Sequence, residues 1–109
     1  MTRDELINVI GDIEDKLRSG NVQDFFRDRP QPERDRFVRL RQDVTLLAED
    51  LRIARLGDVA DRLDQLSGEF NEGIASLGKK IGALNDAVAI IDVLAKVLNL
   101  AVRIAALTA

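Results

Sequence analysis

The sequence predicts an all-α protein, an antiparallel helical bundle or a long helical hairpin with coiled-coil-like packing. Three observations carry this expectation. Apolar residues recur at steps of three and four through most of the chain, and no run alternates with the period of two that a half-buried strand requires. The two prolines both fall in one short segment, Pro30-Gln31-Pro32, so nothing else forbids helix on that ground. Polarity is also divided, because all but four of the charged residues lie before residue 81. A chain of 109 residues is a single domain by length, covering 1–109.

The elements follow in order. Thr2 and Glu5 have the spacing of a capping box, in which each side chain satisfies a free backbone N–H of the other. Leu6, Ile10, Ile13 and Leu17 then repeat at four, three, four, and Ser19-Gly20 offers a left-handed stop. A first helix is expected over about 3–19. Asn21 can cap a short second helix over about 22–29, which carries Phe25 and Phe26. Pro30-Gln31-Pro32 ends it, since proline lacks an N–H and restricts the residue before it. A third helix is expected over 33–56, opened by Pro32 or Glu33 and marked by Phe37, Leu40, Val44, Leu47, Leu51 and Ala54. Gly57-Asp58 supplies a stop followed by a new N-cap.

Beyond Asp58 one stripe runs through Val59, Leu63, Leu66, Phe70, Ile74, Leu77, Ile81, Leu84, Val88, Ile91, Ala95, Leu98, Val102 and Ala105. Its steps alternate between three and four except for a doubled four at Phe70–Ile74, a stutter. Two readings stay open. Helices over 58–79 and 83–108 are either continuous, about 75 Å long at ~1.5 Å per residue, or folded back within Gly78-Lys79-Lys80-Ile81-Gly82. The unbroken stripe argues for continuity. The rarity of such long helices and the helix cost of Gly68, Gly73, Gly78 and Gly82, about 1 kcal/mol each, argue for the turn.

Composition narrows the function classes. The net charge of −3 gives no bulk attraction to nucleic acid. Cysteine, histidine, tryptophan and tyrosine are all absent. No thiolate metal site, no histidine base and no usual interface aromatic is available. The serines and threonines have no histidine to activate them, and no glycine loop follows a strand to hold phosphate. A non-enzyme without a cofactor is expected. Asp58, Asp61 and Asp64 share a helix face but lack the loop of a calcium site, so they read as cap and surface charge, and no metal is expected. The charged start, Met1-Thr2-Arg3-Asp4-Glu5, holds no apolar signal core, and the expected location is cytoplasmic.

Two features remain as candidates. The first is the segment 81–109. Val88, Ile90, Ile91, Val93, Leu94, Val97, Leu98, Leu100, Val102 and Ile104 leave only Asp92, Lys96, Asn99 and Arg103 as a polar strip. A helix apolar nearly all round is buried on most sides, by its own chain or by a partner. The expected function is a non-catalytic interaction module that self-associates through this helix, with Leu84, Val88, Ile91, Leu94, Leu98 and Val102 at the interface. The partner would be a second copy or a helix of another protein. A membrane-active protein that exposes 81–109 to a bilayer is the runner-up. It is weakened by Asp86, Asp92, Lys96 and Arg103, each costing about 2.5–3.5 kcal/mol at the bilayer centre. A small adaptor binding a helix of a larger protein is the third reading.

The second candidate is the arginine run. Arg27, Arg29, Arg34, Arg36, Arg39 and Arg41 fall within 15 residues, and Arg34, Arg36, Arg39 and Arg41 in particular could present a face to an anion or an acidic partner, as arginine forks match carboxylate and phosphate. Asp28, Glu33 and Asp35 alternate with these arginines, and no nucleic-acid-binding motif accompanies them. A solvated face with local ion pairs accounts for the run more simply, and nucleic acid is not the expected partner.

Overall fold

The computed structural model describes residues 3–53 and 64–108, and these form five helices with no strand among them. The helices are α1 (Arg3–Leu17), α2 (Gly20–Arg27), α3 (Gln31–Ile53), α4 (Asp64–Ala83) and α5 (Ala87–Thr108). The Thr2 half of the capping box, the Gly57-Asp58 break, the stripe positions Val59 and Leu63, and Asp58 and Asp61 lie outside the described residues.

The first turn is made differently from the sequence expectation. Gly20 is not a left-handed stop; no glycine among the described residues has a positive φ, and Gly20 is the first residue of α2. Ser19 is the N-cap of α2 in place of Asn21, with extended backbone at φ −62° and ψ 149°. Its hydroxyl donates to the Lys16 carbonyl at 2.8 Å, closing the end of α1. One serine thus finishes one helix and starts the next, which shortens α1 and moves α2 two residues earlier. α3 also starts early. Pro32 sits inside its first turn, where the missing N–H has no intrahelical partner to lose.

The long C-terminal stripe is interrupted. Residues 84–86 are not helical, so the chain folds back there and the continuous helix is excluded. The turn lies two residues beyond Gly82, and no glycine makes it. Leu84 takes φ 46°, a left-handed conformation that costs an L-residue about 1–2 kcal/mol. Its partly buried side chain packs against the core, which offsets part of that cost. Asp86 then restarts the helix, its Oδ1 accepting the N–H of Ala89 at 3.0 Å as an N-cap does.

Three sets of contacts fix how the helices lie. Arg18 donates to Thr45 Oγ1 at 2.7 Å, and Glu14 lies 3.9 Å from Arg52. α1 and α3 therefore point in opposite senses. Gly73 and Val97 stand at equal distances on either side of the 84–86 loop, and a Cβ on Gly73 would come within 2.8 Å of Val97 Cγ2. Only glycine allows α4 this close to α5. Arg36 near the start of α3 meets Asp92 near the start of α5, while Asp50 and Val102 near their ends share a groove. α3 and α5 thus run in the same sense.

The core lies between these helices. Leu6, Ile10, Ile13 and Leu17 of α1, Phe37, Val44 and Leu51 of α3, Phe70 and Leu77 of α4, and Ile90, Ile91, Leu94, Val97, Ala101 and Ile104 of α5 are all buried in it. Burying side chains of this size contributes about 1.5–3 kcal/mol each for the larger ones.

Candidate functional site

The residues expected at an α5 interface divide by position. Ile91 and Leu94 are wholly buried, at 0% exposure, in the core of this chain. Leu84 and Leu98 are partly buried against that core. Val88 and Val102 stand open at 47% and 49%. The apolar arc of α5 is wide because α3 and α4 cover most of it, and a strip along its border with α3 is left over.

On the α3 side of that border Leu46 is also open, at 48%. Leu46, Leu47, Leu98 and Val102 line a groove of about 310 Å³ between α3 and α5, edged by Asp43 and Asp50. Leu46 falls off the sequence stripe of α3, next to Leu47, and that doubling was the available signal for it. Asp43 and Asp50 edge the strip, and exposed cations lie on both helices. Arg39 lies on the α3 flank three to four residues from Arg36 and Asp43, and Lys96 and Arg103 are exposed on α5.

The arginine run splits across α3 as well. Arg36 turns toward α5 and meets Asp92 Oδ1 at 3.4 Å, with both side chains more than half exposed. Arg39 is exposed and has no ion pair among the described residues. Arg34 and Arg41, seven residues apart and so on one flank of the helix, face α2 instead. There they join Arg27, Gln23, Phe26, Phe37 and Val38 around a cleft of about 110 Å³. The four arginines named in the sequence therefore do not form one face.

The α2–α3 cleft is built from the inside out. Phe26 and Phe37 are buried and stack with centroids 4.0 Å apart and planes within 3°. Phe25 meets Phe26 edge-on at 5.2 Å, and the Arg29 guanidinium lies 4.8 Å from the Phe25 ring centroid. Gln23 is held at both ends: its Nε2 donates to the Arg18 carbonyl at 2.8 Å and its Oε1 accepts from Arg41 Nη1 at 2.8 Å. Arg41 also lies 5.7 Å from the Phe37 ring centroid. Arg27 is tied to Asp24 at 2.9 Å. Arg27 belongs to the arginine run read from the sequence, whereas Gln23, Phe26 and Phe37 were not read as parts of a site. The seven-residue spacing of Arg27, Arg34 and Arg41 was a signal, but the prolines between Arg27 and Arg34 hid it.

Among the described residues no group of acidic side chains could hold a metal ion, and no helix is long and apolar enough to cross a membrane. The chain matches no family model, no curated protein and no solved structure.

Proposed function

We propose that this chain is a non-catalytic helical interaction module, a bundle in which α1 with α3 and α4 with α5 are antiparallel and α3 with α5 is parallel, that pairs with a second copy of itself along the α3–α5 border. The observation that carries the reading is the open apolar groove of Leu46, Leu47, Leu98 and Val102, where exposed apolar side chains of two helices meet in one concave strip. Exposed apolar side chains are ordinary when scattered and informative when they line one concave strip. The interface narrows accordingly from the six residues the sequence offered to Val88, Leu98 and Val102, with Leu46 and Leu47 added from α3.

A second copy fits this strip for two reasons. A two-fold pairing brings the same patch of both protomers together, so an apolar strip meets an apolar strip. It also lets Asp43 and Asp50 of one protomer meet Arg39, Lys96 or Arg103 of the other, and such complementarity fixes register. Lack of cysteine suits a reducing compartment, and the module is placed in the cytoplasm as part of the same proposal.

Molar mass by size-exclusion chromatography with light scattering at two concentrations tests the reading. The expected result is a dimer that Val102→Glu with Leu46→Glu converts to a monomer of unchanged helicity, since both positions are open in one chain. Substitution of Ile91 would not serve, because it damages the core whatever the assembly. A wild-type chain that stays monomeric at the higher concentration overturns the proposal.

A further inference from the structure

We propose that the α2–α3 cleft walled by Arg27, Arg34 and Arg41 binds the phosphoryl group of a small phosphomonoester, with the ligand's apolar stem resting on Val38. This site is separate from the α3–α5 groove and lies on the opposite flank of α3.

Charge selects the ligand class. Asp24 offsets Arg27 at 2.9 Å. Arg34 and Arg41 have no ion pair among the described residues, and no acidic side chain lines the cleft. Two positive charges are thus left over. A phosphomonoester carries about −1.5 to −2 at neutral pH, whereas a carboxylate carries one charge. Guanidinium forks also present paired N–H donors that match phosphate oxygens, and charge-assisted bonds of this kind are the strong ones.

The cleft is held in shape before any ligand arrives. Gln23 is held by the Arg18 carbonyl and in turn holds Arg41, while the exposed pair with Asp24 orients Arg27 only weakly. Beneath them the Phe26–Phe37 stack gives a stiff floor. Less side-chain freedom is lost on binding when donors are already oriented. Arg34 is exposed and closes the ring from the open side.

Size sets the limit. The cleft holds about 110 Å³, less than the roughly 150 Å³ of a dry cavity that admits benzene. A phosphoryl group and the beginning of a stem fill it, and the rest of the ligand lies outside the cleft. Val38, an exposed apolar side chain at the rim, is where an apolar stem leaves the cleft.

Titration of the whole chain with phenyl phosphate, followed by amide chemical shifts, tests this. Saturable shifts are expected at Gln23, Phe26, Arg34 and Val38, with benzoate binding more weakly. Arg34→Gln should weaken phenyl phosphate about tenfold, the effect of one lost charge-assisted bond, and Arg39→Gln should leave it unchanged. Both side chains are exposed, so the fold survives either change, and unaltered α5 amides check that. Arg41→Lys keeps the charge but loses the fork, and should weaken binding severalfold. The proposal is overturned if those amides show no saturable shift, if benzoate binds as tightly, or if Arg39→Gln costs as much as Arg34→Gln.

Discussion

The two long sides of α5 carry similar side chains and meet different fates. On one side Ile90, Leu94, Val97, Ala101 and Ile104 are sealed by this chain's own helices. On the other, Val88 and Val102 stay half open, Val102 in the groove beside α3. Apolar width in a helix therefore measures how much of it wants cover, and the surrounding helices decide how much cover remains to be found. In this molecule most of what looks like interface in α5 is core.

The sharpest way to break the comparison is to truncate one residue on each side. Leu94→Ala should cost about 2–5 kcal/mol of unfolding free energy, because transfer and cavity terms add in a filled core. Val102→Ala should stay within about 0.5 kcal/mol in the monomer. Denaturant melts of the two variants under dilute conditions give the difference directly, and near-equal losses would mean that the two sides are packed alike.

A smaller contrast lies in α4. A Cβ at position 73 meets Val97 Cγ2 at 2.8 Å, whereas at position 78 it meets nothing within 4 Å. Gly73→Ala should destabilise by about 1–3 kcal/mol through overpacking. Gly78→Ala should stabilise by up to about 1 kcal/mol through helix propensity. Thermal midpoints moving in opposite directions would locate the tight seam between α4 and α5 at Gly73.

The smallest expected effect is at the exposed border itself. A double-mutant cycle on Arg36 and Asp92 should give a coupling of roughly 0.2–1 kcal/mol that shrinks with added salt. A larger, salt-insensitive coupling would show that the α3–α5 border is drier than its exposure implies.

What the sequence made legible follows from local chemistry. The four, three, four spacing of Leu6, Ile10, Ile13 and Leu17 marks four buried residues, because a 3.6-residue helix can bury that stripe and little else. The fold-back after α4 was one of two readings, and its place was off by a few residues. Glycine marks cheap turns, but Leu84 turns at a cost offset by its packing, and Asp86 as the new cap was the residue to weigh. The arginine run was visible and its partition was not. Which flank of α3 each arginine joins depends on where α2 and α5 settle, and that is a tertiary fact. The α2–α3 cleft was invisible for the same reason, since its floor is made by Phe26 and Phe37 meeting across the proline linker.

Because α3 and α5 lie side by side in the same sense, their contacts join distant parts of the chain. Arg36 and Asp92 are 56 residues apart in sequence, whereas Gly73 and Val97 are close neighbours along the α4–α5 fold-back. Closing a longer loop costs more chain entropy, although the penalty grows only as the logarithm of length. Local contacts form early and distant ones wait for them, so the fold-back of α4 on α5 offers a ready-made surface against which α3 arrives late. Contact order therefore predicts that the border that leaves Leu46 and Val102 open closes after the α4–α5 fold-back, and until it closes the apolar side of α5 is exposed to a neighbouring chain.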